Sequence, residues 1–288
     1  MIRLLRNTSN QAVVEWTADR ASNSKYTELS EEDVRGYYAG KAAVPGSTIA
    51  LDPKDGILMH LSSTGIGDAV VGLYAACGFA EAGYPTTFYA RHLPWIGAAS
   101  HPNLTLKPVP LVGTLGVDGN QRYVEQLKAA YAKKLPSRAH WFIEHVAKAY
   151  RIKPPPPARP QSIAVEGEWT ADVVLSPFAI HACRNWPIAN YARVASLLRE
   201  RGVSTLAVMP AEAAKDDEYI LNVAGAKVWR GASPGEVMRA IAGARLLVGG
   251  DSGMAHIGGL LQVPTLAIMA QAGVRYTFWC GDSVQGIV

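Results

Sequence analysis

The sequence predicts an α/β protein made of two domains, each with a parallel sheet covered by helices. In the second half of the chain, short apolar strand segments alternate with amphipathic helical segments. The same alternation occurs in part of the first half, from residue 57 onwards, and a run of prolines at 154–157 separates the halves. Repeated strand–helix units pack as parallel sheets, and a proline run forms a stiff extended connector. We therefore expect one sheet on each side of the prolines.

The second half has the clearest sequence pattern. Ser233, Pro234 and Glu236 match a capping box with proline in the first helical position, which predicts a helix start. Strands are predicted at 171–175, 204–209, 227–229, 246–248 and 265–269, and helices at 188–201, 211–223 and 233–244, with another beginning at Ser252 or Gly253.

The first half is less regular, with only hints of a strand at 12–16 and a helix at 30–38 before residue 57. After that point, strands are predicted at 57–61 and 86–89, and helices at 68–82, 120–134 and 138–150. We therefore divide the chain into an atypical N-terminal extension of the first domain at 1–55, a first domain at 56–152, a proline-rich linker at 153–160 and a second domain at 161–288.

Composition favours a soluble globular protein. Of the 288 residues, 49% are hydrophobic and 18% are charged, which argues against disorder. No apolar run approaches the roughly 20 residues that cross a bilayer, and polar residues from Asn7 onwards exclude a signal-peptide core. We expect a cytoplasmic protein, with peripheral attachment to the inner membrane as an alternative.

Cysteine and histidine spacing predicts neither a disulfide framework nor a metal centre. Cys77, Cys183 and Cys280 are far apart and form no C-x-x-C pair. The histidines likewise lack the spacing of metal ligands. We therefore expect no metal ion and no cofactor. The net charge of +4 is too small to choose among an anionic substrate, a membrane surface and nucleic acid as partner.

The segment L-L-V-G-G-D-S-G-M-A-H at 246–256 is the most informative motif. It predicts an apolar strand, a glycine turn and the start of a helix. That geometry directs unpaired backbone N–H groups and the positive end of the helix at one point, which favours phosphate binding. In the alternative interpretation, the glycines only let the chain turn, and the polar residues are helix caps and packing residues. The candidate ligand-binding residues of this segment are Asp251, Ser252, Gly253, Met254 and His256, and the ligand expected here is linked to a nucleotide.

A second glycine turn, S-S-T-G-I-G-D at 62–68, also lies between a predicted strand and a predicted helix. It is not a dinucleotide-binding fingerprint, because Val70 stands where the third glycine would be. The G-x-x-x-x-G-K-[ST] phosphate-binding loop is also absent from the sequence. Gly65 and Gly67 form a candidate glycine loop, and Asp68 is a candidate general base. The alternative is that Asp68 is only a helix cap.

Further candidate residues follow the first two strands of the second half. Ser176 ends one strand, and the loop after it contains His181 and Arg184. An arginine there could bind the diphosphate of a leaving nucleotide. Taken alone, however, this segment favours the alternative, a solvated loop arginine with Trp186 as a packing residue. Glu212 follows the next strand, where it could contact a ribose or a base, or interact with a helix dipole instead.

Three motifs, in this order, resemble the bacterial heptosyltransferases of glycosyltransferase family nine: the turn at 62–68, R-N-W-P at 184–187 and D-S-G-M-A-H at 251–256. The resemblance implies the GT-B fold, in which two Rossmann-like domains with parallel sheets face each other across a cleft. It further implies an acceptor site on the first domain and a nucleotide-sugar site on the second. Asp68 would be the general base, and Arg184 and Glu212 would lie at the donor.

We therefore expect an inverting, metal-independent glycosyltransferase that moves a sugar from a nucleotide-diphosphate donor to an acceptor hydroxyl. The resemblance implies a heptose-like sugar and a saccharide or glycolipid acceptor of the lipopolysaccharide type. Two alternatives stay open at this point. One is transfer to another polymer or to a modified nucleic-acid base, and the other is a catalytically silent nucleotide-sugar-binding protein.

Overall fold

The computed structural model describes ten segments of the chain, which together form two parallel sheets and two small antiparallel ones. No helix in these segments is both long enough and apolar enough to span a membrane. The described residues are 4–7, 13–15, 26–28, 53–60, 65–90, 92–108, 117–118, 137–179, 184–269 and 283–287.

The N-terminal strands form a three-stranded antiparallel sheet of their own. Strands β1 (Leu4–Asn7), β2 (Val13–Glu15) and β3 (Tyr26–Glu28) have the order β2-β1-β3. The predicted strand at 12–16 is thus present as β2, whereas the predicted helix at 30–38 lies outside the described residues.

The first parallel sheet has four strands in the order β7-β5-β4-β8. Its strands β4 and β5 have alternating burial, so that one face of the sheet packs on the core. The elements of this part of the chain are β4 (Ile57–His60), α1 (Ile66–Glu81), β5 (Thr86–Ala90), α2 (Leu93–Ile96), β6 (Ala99–Ser100), β7 (Leu104–Pro108), β8 (Val117–Asp118) and α3 (Arg138–Tyr150).

Helix α1 is buried on all sides, because every residue from 69 to 80 is buried. It packs on β5 and on α3. Helix α3 is in turn joined to β4, because the Tyr150 hydroxyl accepts a 2.7 Å hydrogen bond from the backbone N–H of Leu58. A helix that is apolar all round is expected at the centre of a protein, and α1 occupies that position here.

The proline-rich segment lies along α1. The backbone N–H of Ala158 donates to the carbonyl oxygen of Tyr74 at 3.1 Å. Gly78 allows the close approach, because a β-carbon at that position would collide with the carbonyl oxygen of Pro156. Strand β9 (Ser162–Ile163) follows and pairs antiparallel with β6. The predicted extended connector is therefore packed against the first sheet and its helices.

The second parallel sheet has six strands in the order β12-β11-β10-β13-β14-β15. The chain moves outward from β10 to β12 and then returns to β13 on the other side of β10. The carboxyl ends of β10 and β13 therefore flank the point at which ligands bind in such sheets. The elements are β10 (Val173–Ser176), α4 (Ile188–Arg199), β11 (Thr205–Met209), α5 (Lys215–Val223), β12 (Lys227–Arg230), α6 (Pro234–Gly243), β13 (Leu246–Gly250), α7 (Gly253–Leu260), β14 (Thr265–Ile268) and β15 (Val284–Ile287).

One hydrophobic core joins the two parallel sheets. It contains Phe88 from the first sheet, Leu73 from α1 and Leu206 from the second sheet, all of them fully buried. A second core, which includes Leu175 and Tyr191, lies under α4 and α5. The second sheet is therefore covered on both faces, as its continuous apolar strands predict.

Most boundaries in the described part lie within two residues of the predicted ones, but two differences have clear causes. Strand β13 extends to Gly250 because Gly249 and Gly250 continue the ladder opposite Ser176 and Ile268. Helix α5 begins at Lys215, so the prediction of a helix from residue 211 was wrong there. Residues 211–214 form a loop whose carbonyl groups accept hydrogen bonds from a side chain on β12. The predicted helix at 120–134 lies outside the described residues.

Candidate active site

The two glycine motifs meet where α1 and α7 begin. A β-carbon at Gly67 would lie 2.6 Å from Cδ2 of the His256 ring. A β-carbon at Gly253 would lie 2.7 Å from Cβ of Ile66. Both distances are shorter than real side chains tolerate, so glycine is needed at each position for this contact. The helices that follow β4 and β13 are thus in direct contact at their N-terminal turns.

The N-terminal turn of α7 has no side-chain cap. Ser252 occupies the N-cap position in extended geometry, but its side chain accepts no capping hydrogen bond. Its Oγ is buried and has no hydrogen-bond partner among the residues that the structure describes. The first backbone N–H groups of a helix have no partner within the helix and carry a partial positive charge. This turn therefore offers a serine hydroxyl and helix N–H groups to a ligand, which suits a phosphate group.

Arg184 lies beside this turn. Its Nε is 3.6 Å from Oδ2 of Asp251, and 40% of its side chain is exposed. Gly250 brings the two segments together, because a β-carbon there would lie 3.0 Å from the carbonyl oxygen of Arg184. Ser176 is buried at the end of β10, directly opposite Gly249 in the ladder. An anion at this edge would face both a guanidinium and a helix N-terminus.

Asp68 projects from the first turn of α1 and forms an ion pair with the first residue of α3. Its Oδ1 is 2.6 Å from Nη2 of Arg138, and each of the two side chains is 20% exposed. The carboxylate is therefore partly shielded from water, and it is held by a cation on a neighbouring helix. Such a pair interacts more strongly than two fully solvated charges.

His256 is buried between the two ion pairs. Only 5% of the residue is exposed, and its ring packs on Gly67. Burial and the positive charge of Arg138 lower the pKa of His256 from 6.5 to about 3, although the negative charge of Asp68 acts in the opposite direction. The ring is therefore neutral at physiological pH. It contacts α1, and it can bridge the two motifs as an uncharged hydrogen-bonding group.

The structure brings together most of the residues singled out in the sequence. Asp68, Arg184 and the turn at 251–256 lie in one cluster. Glu212 is exposed in the loop after β11, which is separated from β13 by β10. His181 and residues 62–64 lie outside the described part of the chain. The catalytic and binding roles assigned to all these residues stay predictions.

Sequence reasoning missed Arg138, which reaches Asp68 from a separate helix. The sequence places this arginine at the start of a predicted helix, 70 positions after Asp68. An arginine at a helix N-terminus is unfavourable for the helix dipole, and this was the one local signal that could have singled it out. Within the described segments, no group of three or more histidine, cysteine or acidic side chains is arranged to hold a metal ion.

Part of the sequence matches a protein-family model. Residues 168–286 match the model of glycosyltransferase family 9 (heptosyltransferase), which covers the second sheet and its helices. No curated protein sequence matches the chain. The matched region contains two of the three motifs, R-N-W-P at 184–187 and D-S-G-M-A-H at 251–256.

Several solved structures are similar over most of the chain. A glycosyl transferase family 9 protein from Veillonella parvula has a TM-score of 0.62 and 14% identity, and the match covers 83% of this chain and 87% of that one. The ADP-heptose LPS heptosyltransferase II of E. coli has a TM-score of 0.56 and 15% identity, with 80% and 90% covered. The iron-containing dodecameric glycosyltransferase TibC of enterotoxigenic E. coli has a TM-score of 0.54 and 11% identity, with 93% and 72% covered.

These similarities confirm the fold class predicted from the sequence. At identities of 11–15% the solved structures establish the fold, two parallel sheets in the GT-B arrangement. The second sheet and its helices also match the family by sequence, because they lie within residues 168–286. The resemblance predicted from the three motifs is thus confirmed: residues 168–286 match glycosyltransferase family 9 (heptosyltransferase), and the fold of the chain is GT-B.

Proposed function

We propose that this chain transfers a sugar from a nucleotide-diphosphate donor to a hydroxyl group of a saccharide or glycolipid acceptor, with inversion and without a metal ion. The observation that carries the proposal is the contact of α1 with α7, in which Gly67 meets His256 and Gly253 meets Ile66. It brings the Asp68 carboxylate into the same cluster as the turn at 251–253. A general base and a site for a leaving diphosphate are the two parts that this displacement needs.

The donor would bind at the carboxyl edge of the second sheet. The N–H groups that begin α7, the Ser252 hydroxyl and the partly exposed Arg184 guanidinium all suit a diphosphate. ADP-heptose is the first donor to test, because the similar E. coli heptosyltransferase II is named for it. A phosphate on Arg184 would compete with Asp251, which is 3.6 Å away in this structure.

In the proposed reaction, the Asp68 carboxylate takes the proton of the acceptor hydroxyl. The acceptor oxygen forms a bond to the anomeric carbon while the bond from that carbon to the diphosphate oxygen breaks. The electron pair of the broken bond leaves with the nucleotide diphosphate. Arg184 and the N-terminus of α7 then stabilise the added negative charge. Attack on the face opposite the leaving group inverts the anomeric centre.

The central test is the substitution Asp68→Ala, assayed as release of free nucleotide from ADP-heptose in the presence of a lipopolysaccharide-type acceptor. Loss of a general base lowers the rate by roughly 100-fold or more, while thermal stabilisation by ADP should persist because the donor site is untouched. Asp216→Asn, an exposed carboxylate on α5, is the matched control and should keep full activity. Normal turnover by Asp68→Ala would disprove the mechanism, and ADP binding without turnover of any nucleotide sugar would indicate a silent binding protein.

Metal independence needs its own experiment, because the similar TibC enzyme contains iron. We expect the rate to be unchanged after treatment with EDTA, since Arg184 and the α7 N-terminus supply positive charge at the diphosphate. Loss of activity in EDTA that added iron or magnesium restores would contradict this part of the proposal.

A further inference from the structure

The ion pair between Asp68 and Arg138 points to a function for Arg138 that the three motifs do not include. We propose that Arg138 is a positioning residue for the general base, which holds the Asp68 carboxylate in a fixed orientation. This inference rests on the proposed function of Asp68. It adds a residue on α3, outside both glycine motifs and outside the region that matches the family model.

The geometry of the pair supports an orienting function. Nη2 of Arg138 lies 2.6 Å from Oδ1 of Asp68, which restricts rotation of the carboxylate. Both side chains are 20% exposed, so solvent screens the interaction less than it screens a surface pair.

Helix α3 is anchored firmly enough to hold Arg138 in place. Its buried face, which includes Phe142 and Val146, belongs to the common core, and the helix packs on α1. At its other end, the Tyr150 hydroxyl accepts a hydrogen bond from the Leu58 backbone in β4. The position of the guanidinium is thus determined by the same core that positions Asp68.

The location of Arg138 is not explained by the stability of its own helix. Arg138 is the first residue of α3, where the helix dipole disfavours a cation. Asp68, in contrast, lies in the first turn of α1, where the dipole already favours a carboxylate. The cation therefore stands at an unfavourable helix end, and its contact with Asp68 is the compensating interaction.

Two side chains from other helices lie near Asp68. Arg138 approaches from α3, and the ring of His256 approaches from α7, where it packs on Gly67, the residue before Asp68. Burial lowers the pKa of His256 to about 3, so the ring is neutral and the cationic contact to the carboxylate is that of Arg138. Removing Arg138 should therefore change turnover through the carboxylate that it contacts.

The test compares Arg138→Met, Arg138→Lys and wild type by kcat, by KM for ADP-heptose and by ADP binding. In Arg138→Met we expect kcat to fall about tenfold or more, with KM and ADP binding changed less than about threefold. Arg138→Lys should recover part of kcat, because lysine retains the charge but not the planar geometry.

A second set of variants separates this inference from the proposed function. If Arg138 acts through Asp68, adding Arg138→Met to Asp68→Ala should lower kcat by less than about twofold further. Arg239→Met, which removes an exposed ion pair with Glu168, is the control for loss of a surface arginine and should leave kcat and KM unchanged.

An unchanged kcat in Arg138→Met would overturn the inference while leaving Asp68 as the base. Full activity in Asp68→Ala would overturn the proposed function itself. If Arg138→Met does not fold, Arg138→Gln, which keeps an N–H donor and removes the charge, takes its place with the same expected split between kcat and KM.

Discussion

At the scale of single residues, His256 has the most unusual environment in the described part of the chain. It is the fourth residue of α7, one turn after the uncapped N-terminus, and its ring faces α1. Burial makes the protonated ring unfavourable, and the nearby Arg138 adds repulsion. The histidine is therefore a neutral component of the contact between the two motif helices, and the stability of the protein should depend on pH.

The free energy of unfolding should fall as the pH drops from about 6.5 towards 3, the range between the ordinary and the lowered pKa of His256. In that range the unfolded chain binds a proton that the folded protein does not, so acid favours unfolding. At pH 5, which is 1.5 units below the ordinary pKa of 6.5, the expected loss in the free energy of unfolding is about 2 kcal/mol. Urea unfolding of wild type and His256→Gln at pH 7 and pH 5 measures the effect. Equal losses in the two proteins would contradict it.

At the scale of elements, the contact of α1 with α7 depends on glycine. The glycines of the two motifs were interpreted in the sequence as parts of ligand-binding turns. The structure adds a steric reason, because Gly67 and Gly253 lie against side chains of the opposite helix. The same residues therefore determine how closely the two halves of the site approach each other.

Gly67→Ala should destabilise the protein, since its β-carbon would lie 2.6 Å from the His256 ring. Overpacking of this kind costs about 1–3 kcal/mol in free energy of unfolding. Gly235→Ala is the matched control, because it also lies in the first turn of a helix and its β-carbon meets nothing closer than 3.6 Å. Denaturant titration of both variants gives the comparison. A Gly67→Ala protein as stable as Gly235→Ala would rule out the tight contact.

The loop before α5 depends on one side chain of β12. The Arg230 guanidinium donates to the carbonyl oxygens of Ala211, Ala213 and Ala214, and its Nε lies 2.9 Å from Oε2 of Glu218. These bonds satisfy the backbone of the loop that carries Glu212, which explains why a sequence of good helix formers is not helical there.

Arg230→Met should therefore loosen residues 211–218 and lower the free energy of unfolding by about 1–3 kcal/mol, the range expected when a charged donor is removed from several acceptors. Hydrogen exchange of the loop and the first turn of α5 should accelerate, while exchange in β10 and β13 should change little. Arg239→Met provides the control, because its single 3.6 Å ion pair is exposed. Unaltered hydrogen exchange at 211–214 would show that the hydrogen bonds of Arg230 do not stabilise this loop.

At the scale of the whole molecule, the two parallel sheets share a core. Residues of both sheets and of α1 belong to one buried cluster, and the proline-rich segment is attached to α1 by a backbone hydrogen bond. Two lobes joined in this way should unfold together, since neither can expose its part of the cluster without exposing the other's.

Leu73→Ala, at a fully buried position in α1, should lower the stability of both sheets at once. The expected loss is about 2–5 kcal/mol, and native-state hydrogen exchange should show equal losses in β5 and β11. Leu197→Ala, at a position that is 41% exposed, is the control and should change little. If the protein unfolded in two separate transitions and Leu73→Ala shifted only the transition of the first sheet, the lobes would fold independently.

The sequence by itself determined the α/β class, the strands and helices of the second half and the family resemblance. Local signals carry this information: continuous apolar strands such as β11, the capping box at Ser233, and glycine turns at helix starts. These signals depend on residues close together in the chain, so they can be recognised without a structure.

Only the tertiary structure decided which distant residues meet. Three contacts join segments that lie far apart in the chain or on separate elements. They are the ion pair of Asp68 with Arg138, the packing of His256 on Gly67, and the hydrogen bonds of Arg230 to the 211–214 loop. No local pattern encodes such contacts, because they depend on how α1, α3 and α7 pack on a common core. The sequence thus determines the parts of the candidate site, and the packing of the helices determines how those parts act on one another.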